Sequence, residues 1–94
     1  IVQTLMNILD YKIFSNQRRL SDRPPARISL LIGFYNNLRC FQLQMASLET
    51  QTMSDFEVLL CDDGSSDEVV EQIHTYMKQC QFVIKHLWQK DEGW

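Results

Sequence analysis

Much of what would make this sequence easy to classify is missing from it. No apolar run approaches the ~20 residues of a membrane-spanning helix, and no charged start, apolar stretch and cleavage site stand at the front, so a soluble chain is expected. Lys and Arg number 9 against 12 Asp and Glu, a net charge of −3, with no basic cluster denser than Gln17-Arg18-Arg19. Nucleic-acid surfaces neutralise phosphates with Lys and Arg, so no nucleic-acid partner is expected. The three cysteines, Cys40, Cys61 and Cys80, are odd in number and lack the C-x-x-C spacing of a zinc or redox site. Lying in apolar-patterned segments, they read as plain buried thiols, which fits a reducing compartment: the cytoplasm, or the cytoplasmic face of a membrane. The first strand-to-helix turn, Gly33-Phe34-Tyr35-Asn36-Asn37, lacks G-x-G-x-x-G, and nowhere is there a G-x-x-x-x-G-K-[ST]. A classical NAD or FAD site and a P-loop are thereby set aside.

What is present is organised around Phe56-Glu57-Val58-Leu59-Leu60-Cys61-Asp62-Asp63-Gly64-Ser65-Ser66-Asp67. A short apolar run of strand-formers ends abruptly in two carboxylates, a glycine and two serines, the pattern of a buried strand feeding a polar loop. Ligands of open α/β sheets sit outside the carboxyl ends of the strands, which is where this acidic pair falls. An Asp-Asp-Gly turn can also be a simple solvated turn, so position rather than composition carries the functional reading.

At 94 residues the chain is one domain at most. Apolar residues at Val2, Leu5, Met6, Leu9, Ile13 and Phe14 are mostly three or four apart and predict an amphipathic helix over about the first 14 residues. Ser15 to Arg27 is polar, rich in Arg and stopped by Pro24-Pro25, and reads as a linker or surface wrap, placing a boundary at residue 27. Ile28–Ile32 predicts a buried strand, and Leu38, Phe41, Met45 and Leu48 a helix capped by Asn36 or Asn37. With the strand beginning at Phe56 this makes a βαβ unit. Ser65-Ser66-Asp67-Glu68 has the S-x-x-E spacing of a capping box. The helix it starts carries Val69, Val70, Ile73, Tyr76, Met77 and Cys80 on its apolar face, and Phe82–Trp88 follows as a third strand. The fold class is therefore α/β: a Rossmann-like, mostly parallel sheet in β-α-β-α-β order. Crossovers of this kind open both βα loops, at Tyr35 and at Asp63, on one edge of the sheet. Tyr35 is placed either to stack on a flat ligand or to bond a neighbouring loop. His74 and His86 have no partners at metal spacing and read as structural, and no Ser-His-Asp or Cys-His arrangement can be assembled.

Taken together, Ile28-Ser29-Leu30-Leu31-Ile32, Tyr35-Asn36, Ser47-Leu48-Glu49-Thr50-Gln51-Thr52, Asp55-Phe56-Glu57-Val58 and Asp62-Asp63-Gly64-Ser65-Ser66-Asp67 resemble the start of family 2 glycosyltransferases of the GT-A fold. The likeness covers about two thirds of the chain, from Ile28 onward. Trp88-Gln89-Lys90-Asp91-Glu92-Gly93 is similar to the W-Q-E-D-K-G segment of bacterial members that build polysaccharides from galactosyl or hexosaminyl donors. The family usually has P-T or P-x before Tyr-Asn, where Gly33-Phe34 stand here, and Trp94 replaces a common Phe.

The resemblance implies that residues 28–94 are the N-terminal, nucleotide-sugar-binding part of a GT-A domain. Tyr35 and Asn36 would lie against the uracil or ribose of a UDP-sugar, Asp63 would bond the base with Asp62 close by, and Asp91 would border the diphosphate or sugar. It also implies that the D-x-D holding Mg²⁺ or Mn²⁺, and the carboxylate that activates a glycan acceptor for inverting transfer, lie beyond Trp94. The chain reads as a piece of something longer, inactive by itself, its open sheet edge prone to self-association. Two rivals remain open, a non-catalytic α/β interaction module and a signalling domain whose acidic pair holds Mg²⁺. The latter wants its pair after the first strand, whereas here it follows the second of the three expected.

Overall fold

The computed structural model describes residues 11–23, 25–52 and 55–90. Four strands, β1 (Tyr11–Ser15), β2 (Ile28–Phe34), β3 (Phe56–Asp62) and β4 (Val83–Gln89), form one sheet in the order β1-β4-β3-β2. Helix α1 (Leu38–Glu49) links β2 to β3, and α2 (Asp67–Met77) links β3 to β4. β2, β3 and β4 are parallel, and β1 is antiparallel to β4. The α/β, mostly parallel architecture expected from the sequence is the one observed.

Two crossovers of the same hand stepping in the same direction place both helices on one face of the sheet. The core lies there. Phe41 and Met45 of α1, and Ile73 and Met77 of α2, pack on Phe56, Val58 and Leu60 of β3 and on Phe82 and Ile84. The helices form because their apolar residues recur at three and four, so that one stripe of each meets the alternate inward residues of the strands. The opposite face follows the complementary alternation. Leu31 is 71% exposed there, and Ser29, Glu57 and Lys85 form a short polar chain, with Ser29 Oγ 2.9 Å and Lys85 Nζ 3.2 Å from the two Glu57 oxygens.

The N-terminal expectation needs correction where it can be compared. Residues 1–10 of the predicted helix lie outside the described residues, but Tyr11–Ser15, which contains Ile13 and Phe14 of the same apolar pattern, is a strand. Helical spacing loses to an unpaired edge of β4, which β1 saturates from Tyr11↔Gln89 to Ser15↔Lys85. Of the two readings of the segment after it, linker or surface wrap, its start behaves as the wrap. Asn16 and Leu20 are buried; Asn16 Nδ2 donates to the carbonyls of Met77 and Phe82 at 3.0 Å each, and its Oδ1 accepts from Ile84 N at 2.8 Å. The boundary expected at residue 27 therefore separates no independent unit among the described residues.

Candidate functional site

β2 and β3 pair in register from Ile28↔Phe56 to Phe34↔Asp62, so their carboxyl ends stop side by side. The loops that follow are stitched together. Asn36, in the left-handed region at φ 52° that asparagine tolerates, gives its N–H to Ser65 Oγ at 2.8 Å and takes the N–H of Ser66 on its Oδ1 at 2.8 Å. Gly64, at φ 87°, supplies the turn a residue with a Cβ resists. Trp88 Nε1 donates to Ser65 O at 3.0 Å from β4.

The two acids of the loop have opposite environments. Asp62 ends β3 pointing to the helix face and is 1% exposed; its Oδ1 accepts from Ser65 N at 3.0 Å and Ser65 Oγ at 2.6 Å, and its Oδ2 lies 2.7 Å from His86 Nε2. Both oxygens are engaged inside the protein, so Asp62 frames the loop from within the fold. Asp63 is anchored by its N–H on Phe34 O at 3.0 Å, and its Oδ1 is a buried oxygen with no hydrogen-bond partner among the described residues. An unpaired buried acceptor costs free energy and marks a place where something else supplies the donor.

Asp63 opens on a cavity of about 670 Å³ lined also by Phe34, Tyr35, Asn37, Cys40 and Cys61. The Tyr35 ring is half exposed at its rim. The structure thus brings together Tyr35 and Asp63 as the crossover geometry predicts, with Asn36 tying the loops instead of facing the cavity through its amide. Asp91 lies outside the described residues. The expectation of three buried thiols holds for Cys80 alone: Cys40 sits on the outer flank of α1 and is exposed, and Cys61 is half-buried on the helix-free face, its thiol pushed above its ordinary range by burial. The capping box is also corrected. The hydroxyl of Ser65 is committed to Asp62 and does not cap the helix; Ser66 is the N-cap of α2 and makes no side-chain cap bond.

Residues 29–94 match the sequence profile of glycosyl transferase family 2. The chain belongs to that family. Among curated relatives of this family 2 chain, an uncharacterized glycosyltransferase of Nostoc sp. (strain PCC 7120) is 34% identical over 67 residues, covering 71% of the chain and 21% of that protein. Chondroitin synthase of Escherichia coli is 30% identical over 91 residues, 90% of the chain and 13% of the synthase. Cholesterol galactosyltransferase of Borreliella burgdorferi is 33% identical over 67 residues, 71% of the chain and 18% of that enzyme. The chain spans about a fifth or less of the length of these relatives. No solved structure matches it significantly.

The two histidines, read from the sequence as structural, are so, but their contact with each other and the link from His86 to Asp62 were not foreseen. His74 Nε2 lies 2.9 Å from His86 Nδ1, so both belong to one hydrogen-bonded chain ending on Asp62. The signal was available: counting in twos along β4 puts His86 on the core face with Ile84.

Proposed function

We propose that the protein carrying this chain transfers a sugar from a nucleotide-diphosphate donor, UDP-linked, to a glycan or other acceptor, and that this chain supplies the recognition of the nucleoside. The observation that carries the reading is that Asp63, whose buried Oδ1 has no hydrogen-bond partner among the described residues, lines the same cavity as Tyr35. A carboxylate only accepts, and the imide N–H of uracil only donates, so the two complete one another. Tyr35 offers a ring face for stacking against the base or ribose. The diphosphate is not expected at the start of α2, whose first turn already holds Asp67 and Glu68 against the positive end of the helix dipole.

Among the described residues no group of three His, Cys, Asp or Glu side chains is placed to hold a metal ion. These residues do not make a site for the Mg²⁺ or Mn²⁺ that the family resemblance implies, and the part proposed for them is recognition of the nucleoside alone. No described helix is long and apolar enough to cross a membrane. The names of the relatives, which span chondroitin, cholesterol and validoxylamine A as products or acceptors, leave this chain's acceptor to experiment.

The test is calorimetric titration of UDP into the intact protein. Asp63→Ala leaves the base N–H unpaired in a partly dry crevice and is expected to weaken binding by about 1 to 3 kcal/mol, roughly 5- to 150-fold. Asp63→Asn keeps one acceptor oxygen and should weaken it less. Equal affinity for wild type and Asp63→Ala would remove Asp63 from base recognition.

A further inference from the structure

The sequence has two histidines, and the fold places them in contact with each other, His86 also meeting the buried acid beside Asp63. His86 is fully buried on β4. Its hydrogen-bond roles follow from its neighbours. A carboxylate oxygen accepts only, so Nε2 of His86 carries the hydrogen and donates to Asp62 Oδ2; Nδ1 of His86 is then free to accept from Nε2–H of His74. Asp62, held on that side, uses its other oxygen to fold the Asp62–Ser65 turn back on itself through Ser65. The same turn presents Asp63. Nothing in the base recognition proposed above uses either histidine.

We propose that His86 is the positioning residue of the nucleoside site, fixing the Asp62 turn on which Asp63 is carried, and that His74 is where this chain of hydrogen bonds takes up a proton. The proposal rests on the reading of Asp63 given above.

His74 differs from His86 in being partly open, lining a second cavity of about 530 Å³ with Phe14, Asn16, Arg18, Arg19 and Lys78. The groups around it oppose a charge. Its ring lies 4.2 Å from that of Phe14 on β1, Lys78 stands one turn along from it at the end of α2, Arg18 and Arg19 flank the cavity, and Asp62 is the acid that favours a charge on it. Burial first, then His86 and Lys78, hold the His74 imidazole below its ordinary pKa, with Asp62 opposing. A second proton leaves the Nε2–H of His74 in place, but burial and the neighbouring cations disfavour the charge, and it is this cost that turns the ring out of its contact with Phe14 and His86 toward the water of its cavity in acid. His86 then loses the partner on Nδ1 that keeps its Nε2–H aimed at Asp62, and the turn loosens. Nucleoside affinity falls with pH.

The experiment combines UDP calorimetry on the intact protein between about pH 5.5 and 8 with histidine-selective nitrogen NMR, in which the rings of His74 and His86 are assigned by their loss from the spectra of the two glutamine variants. His86→Gln places a side-chain N–H near where Nε2 stood and should hold UDP within about threefold of wild type; His86→Leu leaves Asp62 Oδ2 unpaired and should bind about tenfold or more weakly with an unchanged circular dichroism spectrum. His74→Gln keeps a donor to His86 without titrating, so the ratio of wild-type to His74→Gln affinity should fall about three- to tenfold on acidification; titration of UDP itself is common to both and cancels. NMR of the unliganded protein should show His86 as the Nε2–H tautomer. Folded His86→Leu that binds UDP like wild type, or a constant ratio of wild-type to His74→Gln affinity, would overturn the proposal. If His86→Leu does not fold, His86→Gln still decides: a tenfold loss in that variant, or an Nδ1–H tautomer in wild type, overturns it equally. An Asp63→Ala variant run alongside separates the two readings, because unchanged binding there removes the base contact and this proposal with it, whereas a loss there with no loss in His86→Leu removes the positioning role alone.

Discussion

Single side chains decide more of this site than their chemistry suggests. Asp62 and Asp63 are adjacent and identical, yet one is spent inside the fold and the other is left with an open oxygen. Strand pattern alone put both at the carboxyl end of β3, and only the family resemblance told them apart, because the division depends on which face of β3 each meets, and the last strand residue and the first loop residue look alike in composition. Asn16 was illegible for a different reason. Its three backbone partners are more than 60 positions away, so no local pattern marks it. Replacing it by alanine would leave the Met77 and Phe82 carbonyls and the Ile84 N–H short of a partner in the interior. Asn16→Ala is expected to lower stability by at least about 2 kcal/mol, read from urea denaturation midpoints, whereas a surface change such as Gln17→Ala should stay within about 0.5 kcal/mol.

At the scale of elements, the parallel βαβαβ core was readable because each piece announces itself locally: β-branched and leucine runs, then stripes of Phe41 and Met45 or Ile73 and Met77 at helical spacing. Ends and edges were not, since they answer to distant partners. The N-terminus of α2 shows this most clearly. Local spacing nominates Ser65 as the cap, but the Asp62 carboxylate and the Asn36 N–H claim its hydroxyl, and Ser66 takes the cap position without a side-chain bond. The two serines therefore separate in an experiment. Ser65→Ala removes a buried hydroxyl with two partners and is expected to cost about 1 to 3 kcal/mol and to weaken UDP by loosening the Asp63 turn, whereas Ser66→Ala should change stability by about 0.5 kcal/mol or less. Thermal unfolding of the two variants in parallel measures it; a larger loss at Ser66 would restore the capping box.

For the molecule as a whole, the connections are of two kinds. β2–β3 and β3–β4 join strands separated by one helix, while β1 closes on β4 across nearly the whole described chain, Tyr11 meeting Gln89. Closing a longer loop costs more chain entropy, though only slowly with length, and an edge strand of five residues returns few hydrogen bonds for it. β1 should then be the last piece to form and the first to let go, an opening that leaves the three parallel strands intact. Native-state hydrogen exchange is expected to show the β1 amides exchanging through a partial opening well below the global unfolding free energy, while Val58 and Leu60 exchange only with global unfolding. Equal protection in β1 and β3 would contradict this. Phe14 travels with β1, and it is the ring that shields His74 and His86 from one side. Breathing of the first described strand would thus admit water to the far end of the path that runs through His74 and His86 to Asp62, beside the cavity that Tyr35 and Asp63 line.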